Sequence, residues 1–215
     1  MFAKRLTAVA LAALVLLLPA ACSAENLPER YLAGEHYTAL EQPVPAEAGD
    51  KIEVIEFFLY GCSHCNAFDP AVTQWASELP DDVAFRRVPV TFSAIGPLFA
   101  RMFYTAKNLG VLDQLHPIIF AAIHEQRLDL TTPAAIRALF VANGVSGADF
   151  DASFNSDKVT AQVNHASELM RAYRIDGVPA MAVAGKYKLN GRQAGGNAAM
   201  LSVTDFLINK VKATQ

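Results

Sequence analysis

Two cysteines separated by two residues, Cys62 and Cys65, are the side chains whose type and spacing most directly indicate chemistry. The third cysteine of the chain, Cys22, lies near its start, so a small scaffold held together by several disulfides is excluded. Two thiols this close either bind a metal, remain locked as a short disulfide, or cycle between dithiol and disulfide. The residues around the pair have to distinguish these possibilities.

The pair lies where a predicted strand gives way to a predicted helix. Residues 51–59 form a run rich in β-branched and aromatic side chains, typical of a strand buried on both faces. Residues 63–79 carry apolar side chains with a period near 3.6, which predicts an amphipathic helix of about four turns. The free N–H groups and dipole at its N-terminus stabilise a thiolate at Cys62. We therefore expect Cys62 to be an exposed nucleophile, Cys65 a shielded resolving thiol, and His64 an added donor or positive charge.

Metal binding is the main alternative for the two thiols, with His64 as a further ligand. Structural zinc usually takes four ligands, and the sequence has no second cysteine pair. The remaining histidines show no ligand spacing and are typical of surface or satisfied core positions: His36, His116, His124 and His165. A permanently locked disulfide is also disfavoured, because so short a loop gains little chain entropy from closure. We expect no metal and no cofactor.

Two features away from the cysteines add support for redox chemistry. Glu56 lies in the strand before Cys62, where a buried acid could accept or relay the proton of the resolving thiol. If that strand lay at an edge of the sheet, Glu56 would instead be solvated like Glu53. The other feature is Val178-Pro179, directly before a predicted strand. A cis bond there would present the Val178 backbone to an extended substrate, although a trans bond is far commoner for X–Pro in general.

The remaining pattern places a helical block between two β-containing parts. After the first helix, residues 83–90 predict a second strand, and residues 92–174 show helical spacing without strand-like alternation. A hairpin over 179–189 and a helix over 197–211 follow. The helical block contains no cysteine, so we expect it to contribute none of the sulfur chemistry and to cover the active site and widen the peptide-binding surface.

Residues 1–24 predict a secretory signal peptide. They combine Lys4 and Arg5 with a long apolar run and contain no acid. Two processing routes stay open: cleavage after Ala24, or lipidation of Cys22 as in bacterial lipoproteins. The flanks favour simple cleavage, because Pro19 stands where lipoprotein signals usually have an aliphatic residue. No later apolar run approaches the roughly 20 residues of a membrane helix.

Overall composition restricts the class of protein. A net charge of −3, with 53% hydrophobic against 18% charged residues, excludes a disordered chain and a strongly basic nucleic-acid-binding chain. We expect a monomer that binds no nucleic acid.

The segment Glu56-Phe-Phe-Leu-Tyr-Gly-Cys62-Ser-His-Cys65, with Gly177-Val178-Pro179 much later, resembles the DsbA family of periplasmic thiol:disulfide oxidoreductases. The resemblance covers essentially the whole mature chain. It implies an α/β, thioredoxin-like fold, a central mixed β-sheet flanked by helices, with an inserted all-helical domain. The implied boundaries are 1–24 for the signal peptide, 25–91 and 175–215 for the thioredoxin-like domain, and 92–174 for the insertion.

The resemblance also implies roles and partners. Cys62 is the attacking thiol, His64 stabilises its thiolate, Cys65 resolves, Glu56 is the buried acid, and Pro179 is a cis-proline facing the disulfide with Val178 before it. The substrates are reduced, unfolded exported proteins in the periplasm, and a quinone-linked, DsbB-like membrane oxidase reoxidises the dithiol.

One residue departs from the family pattern, because Ser63 stands where the family most often has proline. Ser63 keeps a backbone N–H and a more flexible turn, which affects the oxidising strength. The alternatives are a periplasmic reductase or isomerase, for which the chain lacks an N-terminal dimerisation domain, and a metal-binding or chaperone-like module.

Overall fold

A five-stranded mixed β-sheet forms the centre of the molecule in the computed structural model, which describes residues 30–214. The strands are β1 (Thr38–Ala39), β2 (Ile52–Phe58), β3 (Val83–Pro89), β4 (Ala180–Val183) and β5 (Tyr187–Asn190). Their order in the sheet is β1-β5-β4-β2-β3. The predicted signal peptide, its cleavage site and Cys22 lie outside the described residues.

Strand β2 lies inside the sheet, because it pairs in parallel with β3 and antiparallel with β4. All seven of its residues are buried, including Glu53 and Glu56, and its β-branched and aromatic residues predict such a strand. Glu56 therefore does not lie at an edge. Glu53 is also buried, at 2% exposure, and Arg86 Nε donates to its Oε1 at 2.9 Å, so the expectation that Glu53 is solvated was wrong.

Eight helices surround the sheet in the described part of the chain. They are α1 (Ser63–Ser77), α2 (Gly96–Asn108), α3 (Leu112–His124), α4 (Pro133–Ala142), α5 (Gly147–Phe154), α6 (Asp157–Ala172), α7 (Gly191–Ala194) and α8 (Asn197–Lys212). Helices α2 to α6 fall within residues 92–174, where no strand is found, so the predicted helical block is confirmed. The predicted thioredoxin-like strands and helices are found within a few residues of their expected bounds.

The two faces of the sheet have separate cores because successive β2 side chains point to opposite faces. Ile55 and Phe57 pack into a core shared with the helical block. Val54 packs on the other side with apolar residues of α1 and α8: Phe68, Val72, Met200, Val203 and Leu207. Helix α3 also contacts α1, so the helical block reaches the element that carries the cysteines.

Two short elements were not predicted. Strand β1, which pairs with β5, is two residues long, and so short a segment cannot show a periodic pattern in the sequence. Helix α7 is a single turn that ends at Gly195, whose φ of +86° favours glycine. Within residues 30–214, no helix is long and apolar enough to cross a membrane.

Candidate active site

Cys62 is the N-cap residue of α1, the position that the strand-to-helix pattern predicts. Its backbone is extended, with φ −90° and ψ 117°, and its Sγ accepts the backbone N–H of Cys65 at 3.4 Å. Cys62 is half-buried, whereas Cys65, one turn into the helix, is fully buried at 0% exposure. Both cysteines are free thiols in this structure, so the dithiol form is described.

The pKa of Cys62 is lowered to about 6. The largest cause is the hydrogen bond from the Cys65 thiol, opposed by partial burial. The backbone N–H groups of Cys65 and His64 lower it further, and the positive charge of His64 makes a smaller contribution. The Cys62 thiolate is therefore stabilised mainly by the helix N-terminus and the second thiol, with His64 assisting.

The pKa of Cys65 is shifted in the opposite direction. Its pKa is raised, first because its thiol donates to Cys62, then because it is buried and lies next to the Cys62 thiolate. The charge of Glu56 raises it further. The dithiol form therefore has a reactive thiolate at Cys62 and a protonated, shielded thiol at Cys65.

The backbone at Val178 lies against the Cys62 sulfur. The Val178–Pro179 peptide bond is cis, and Cys62 Sγ lies 3.5 Å from the carbonyl oxygen of Val178, to which Cys62 donates only when it is protonated. Beside this contact lies a cleft of about 470 Å³ lined by His64, Val178, Pro179 and polar residues of the β5–α8 region. The structure thus brings together five of the predicted site residues: Cys62, His64, Cys65, Val178 and Pro179.

Glu56, the sixth predicted site residue, lies in β2, inside the sheet. Its side chain is 2% exposed, and its Oε2 accepts a hydrogen bond from Arg87 Nε at 2.9 Å. Burial raises the pKa of Glu56 to about 7, against the lowering effect of the Arg87 charge. A group with this pKa can hold or release a proton near neutral pH beside the buried thiol.

Comparison with known proteins shows which family this chain is similar to. The family model of the DSBA-like thioredoxin domain matches residues 87–201. The chain is 39% identical to the thiol:disulfide interchange protein DsbA of Pseudomonas aeruginosa PAO1, over 85% of this chain and 87% of that protein. It is also 39% identical to DsbA of Bordetella pertussis Tohama I, over 96% and 95% of the two chains.

The chain belongs to the DSBA-like thioredoxin family. The crystal structure of Pseudomonas aeruginosa DsbA superimposes with a TM-score of 0.83 at 39% identity, covering 86% of this chain and 96% of that one. The oxidoreductase DsbA from Xylella fastidiosa matches with a TM-score of 0.79 at 31% identity, covering 85% and 98%. The resemblance seen in the sequence is confirmed, and the chain is a disulfide oxidoreductase with the DsbA-type fold.

Sequence reasoning missed the polar groups that surround Glu56 in this DsbA-family chain. Arg87 Nη2 donates to Asp69 Oδ1 at 2.9 Å, and the same carboxylate oxygen lies 3.1 Å from His116 Nε2. The other ring nitrogen of His116 lies 2.8 Å from the hydroxyl of Tyr60. A continuous hydrogen-bonded chain therefore runs from Glu56 through three elements to Tyr60.

A signal for part of this chain was available in the sequence. Arg86 and Arg87 interrupt an otherwise apolar strand, and Arg87 is the register partner of Glu56 in the parallel β2–β3 pair. Two charges of opposite sign on neighbouring buried strands predict a pair. His116 carried no such signal; it is a buried core histidine with both ring nitrogens engaged, which fits the general expectation made for it. Within the described residues, no cluster of three or more His, Cys, Asp or Glu is placed to hold a metal.

Proposed function

We propose that this DsbA-family chain oxidises newly exported, reduced proteins through Cys62 and Cys65, with Cys62 as the exchanging sulfur. The observation that carries the proposal is the opposite shift of the two thiol pKa values, Cys62 to about 6 and Cys65 upward. A thiolate of low pKa is a good leaving group, so a disulfide containing Cys62 readily passes to a substrate.

The reaction consists of two exchanges that balance without a cofactor. A substrate thiolate attacks the Cys62 sulfur of the Cys62–Cys65 disulfide, the internal S–S bond breaks, and Cys65 leaves and takes up a proton. A second substrate thiolate then attacks the substrate sulfur of this mixed disulfide and displaces Cys62 as a thiolate. The substrate loses two electrons and gains a disulfide, and the enzyme gains both electrons as a dithiol.

Glu56 is the group best placed to manage the proton of Cys65. It is buried beneath the active-site turn, has a pKa of about 7, and raises the pKa of Cys65 through its charge. We assign it the role of proton donor when Cys65 leaves, and of acceptor when Cys65 attacks to reform the disulfide. His64 adds positive charge to the environment of the Cys62 thiolate.

Val178 and Pro179 form the substrate-binding side of the site. The Cys62–Val178 contact and the adjacent cleft support a geometry in which a substrate linked to Cys62 extends along the Val178 backbone. Pro179 is buried directly before β4 and holds Val178 beside the Cys62 sulfur.

The division of the chain and its cellular setting belong to the same proposal. We assign residues 25–91 and 175–215 to the thioredoxin-like domain, residues 92–174 to an insertion, and residues 1–24 to export. The working compartment is the periplasm, either as a free monomer or anchored through Cys22. A DsbB-like, quinone-linked membrane oxidase is the proposed partner that reoxidises the dithiol.

A redox titration against glutathione tests the proposed direction of the reaction. An oxidase has a Cys62–Cys65 potential well above that of the glutathione pool, whereas a value of about −200 mV or lower favours the reductase or isomerase alternative. The same preparation, in its oxidised form, should introduce disulfides into a reduced, unfolded protein. A Cys62→Ser variant should lack this activity, and stoichiometric zinc in the purified protein would favour the metal-binding alternative.

A further inference from the structure

Tyr60 lies two residues before Cys62 and is held at both of its polar ends by the helical block. Its hydroxyl lies 2.8 Å from His116 Nδ1, and its backbone carbonyl oxygen lies 2.7 Å from His124 Nε2. Both histidines are on α3, at the first and last parts of a helix that contacts α1. A single residue of the active-site turn is therefore bonded twice to an element outside the thioredoxin-like part.

The hydrogen-bond roles of both histidines follow from their partners. A carbonyl oxygen only accepts, so His124 Nε2 carries the proton and donates to Tyr60. The Asp69 carboxylate likewise accepts from His116 Nε2, and the pKa of Asp69 is held below its ordinary value although burial opposes this, chiefly by the hydrogen bond from His116. With Nε2 as the donor to Asp69, the neutral ring leaves Nδ1 to accept a hydrogen bond from the Tyr60 hydroxyl, and burial lowers the pKa of His116 and so favours this neutral form.

The two hydrogen bonds that join His116 and His124 to Tyr60 form a clamp, and its side-chain end, at the Tyr60 ring, is tightly packed. Tyr60 and His116 are 0% and 4% exposed, and Phe120 lies against both rings with centroids 5.0 and 5.1 Å away. The turn itself has one internal backbone bond, from Cys62 N–H to the Leu59 carbonyl oxygen at 3.0 Å. The orientation of Cys62 relative to the N-terminus of α1 thus depends on where Tyr60 is held.

We propose that His124 and His116 are positioning residues for thiol–disulfide exchange, which hold the Tyr60–Gly61–Cys62 turn so that the Cys62 sulfur meets the helix N-terminus. The proposal rests on the exchange function proposed for Cys62. It departs from the expectation that the helical block contributes nothing to the sulfur chemistry, because α3 acts on Cys62 through Tyr60. Loosening the clamp should weaken the contact of the Cys62 sulfur with the Cys65 N–H at 3.4 Å and so destabilise the thiolate.

The test compares His124→Leu with His124→Gln in the full chain. Leucine removes the donor to the Tyr60 carbonyl, while glutamine retains an N–H donor at a similar distance from the backbone. His124→Leu should weaken the thiolate equilibrium of Cys62 by roughly three- to ten-fold, the equivalent of one neutral hydrogen bond. Because the wild-type pKa is about 6, alkylation at pH 6 should slow by about two- to five-fold, and the glutathione equilibrium should shift toward the disulfide form. His124→Gln should restore both to near the wild-type values.

Two further variants separate positioning from loss of structure. Tyr60→Phe removes only the hydroxyl that His116 binds, and should change Cys62 alkylation in the same direction without altering the aromatic packing. Ile119→Val, a buried substitution on the same helix that removes one methyl group and no hydrogen bond, should leave Cys62 alkylation unchanged.

Wild-type reactivity at Cys62 in both His124→Leu and Tyr60→Phe, or failure of His124→Gln to restore it, would overturn the clamp. The exchange function itself would fail separately, if the wild-type chain did not oxidise a reduced protein.

Discussion

The sulfur of Cys62 lies 3.5 Å from the carbonyl oxygen of Val178, a residue 116 positions later in the chain. The contact brings the Val178–Pro179 segment, which precedes β4, against the N-terminus of α1. It places a backbone segment suited to pairing with an extended chain at Cys62, whose pKa is lowered. The reactive sulfur and the proposed substrate-binding surface thus lie side by side.

The Cys62 thiolate should make the reduced protein more stable as the pH rises. A depressed pKa contributes stability that is fully present above the ordinary thiol pKa of 9.0 and is lost as the pH falls through the folded value of about 6. The free energy of unfolding of the reduced chain, measured relative to Cys62→Ser, should therefore increase between pH 6 and pH 9. A difference that is constant over this range would contradict the lowered pKa.

Removing the Cys65 thiol should disturb Cys62 more than removing His64. The Cys65 hydrogen bond is the largest cause of the low Cys62 pKa, and the His64 charge is a smaller one. We expect the pH midpoint for alkylation of the Cys62 peptide to rise in His64→Ala and to rise further in Cys65→Ala. Each unit of increase makes the thiolate about ten-fold less populated below its midpoint. The reverse order would assign the main electrostatic role to His64.

Replacing Glu56 with glutamine should change how stability depends on pH. Its pKa is 4.5 in the unfolded reference and about 7 in the folded chain, so its contribution is full below pH 4.5 and is lost as the pH rises through 7. Glutamine stays neutral, so the stability of Glu56→Gln relative to wild type should rise by on the order of 3 kcal/mol between pH 4.5 and pH 8. Denaturant unfolding measures this difference.

The matched control for that measurement is Glu35→Gln, which makes the same chemical change at an exposed acid. Its stability relative to wild type should vary little with pH. If Glu56→Gln behaved in the same way, the buried carboxyl would not be a group that titrates near neutrality.

The cleft beside His64 should discriminate substrates by charge. Arg192 and Asp176 both line it and are exposed. Arg192→Glu removes the basic side chain and leaves two acids, so it should slow the oxidation of peptides with an acidic residue beside the cysteine relative to basic ones. The change should be about two- to five-fold, because exposed ion pairs contribute about 0.2–1 kcal/mol.

Stopped-flow rates with matched acidic and basic peptides measure this preference. Lys158→Glu makes the same charge change in α6, outside the residues that line the cleft, and should leave the preference unaltered. An equal effect of both variants would point to overall charge rather than to the cleft.

The local part of the site was predictable from the sequence because local rules create it. An apolar run ending at Cys62 and a 3.6-residue period starting at Ser63 place the first thiol at a helix N-terminus and the second within its first turn. The β-branched and aromatic residues of β2 predicted a strand buried on both faces, but they left open whether Glu56 is buried with them, and Glu53 was expected to be solvated. Only neighbouring residues set the cysteine turn itself.

The tertiary structure alone decided which distant groups meet at the sulfur. Arg87 reaches Glu56 because β3 pairs with β2 in one register, and Val178 reaches Cys62 because β4 pairs with β2 on its other side. His116 and His124 lie 56 and 64 residues after Tyr60, and bond to it because α3 packs against the active-site turn. These contacts depend on how whole elements pack, and packing is set by the summed burial of many apolar side chains. The family resemblance had implied the position of Val178, and the charge of Arg87 gave a partial signal, whereas nothing at His116 or His124 indicated their contacts with Tyr60.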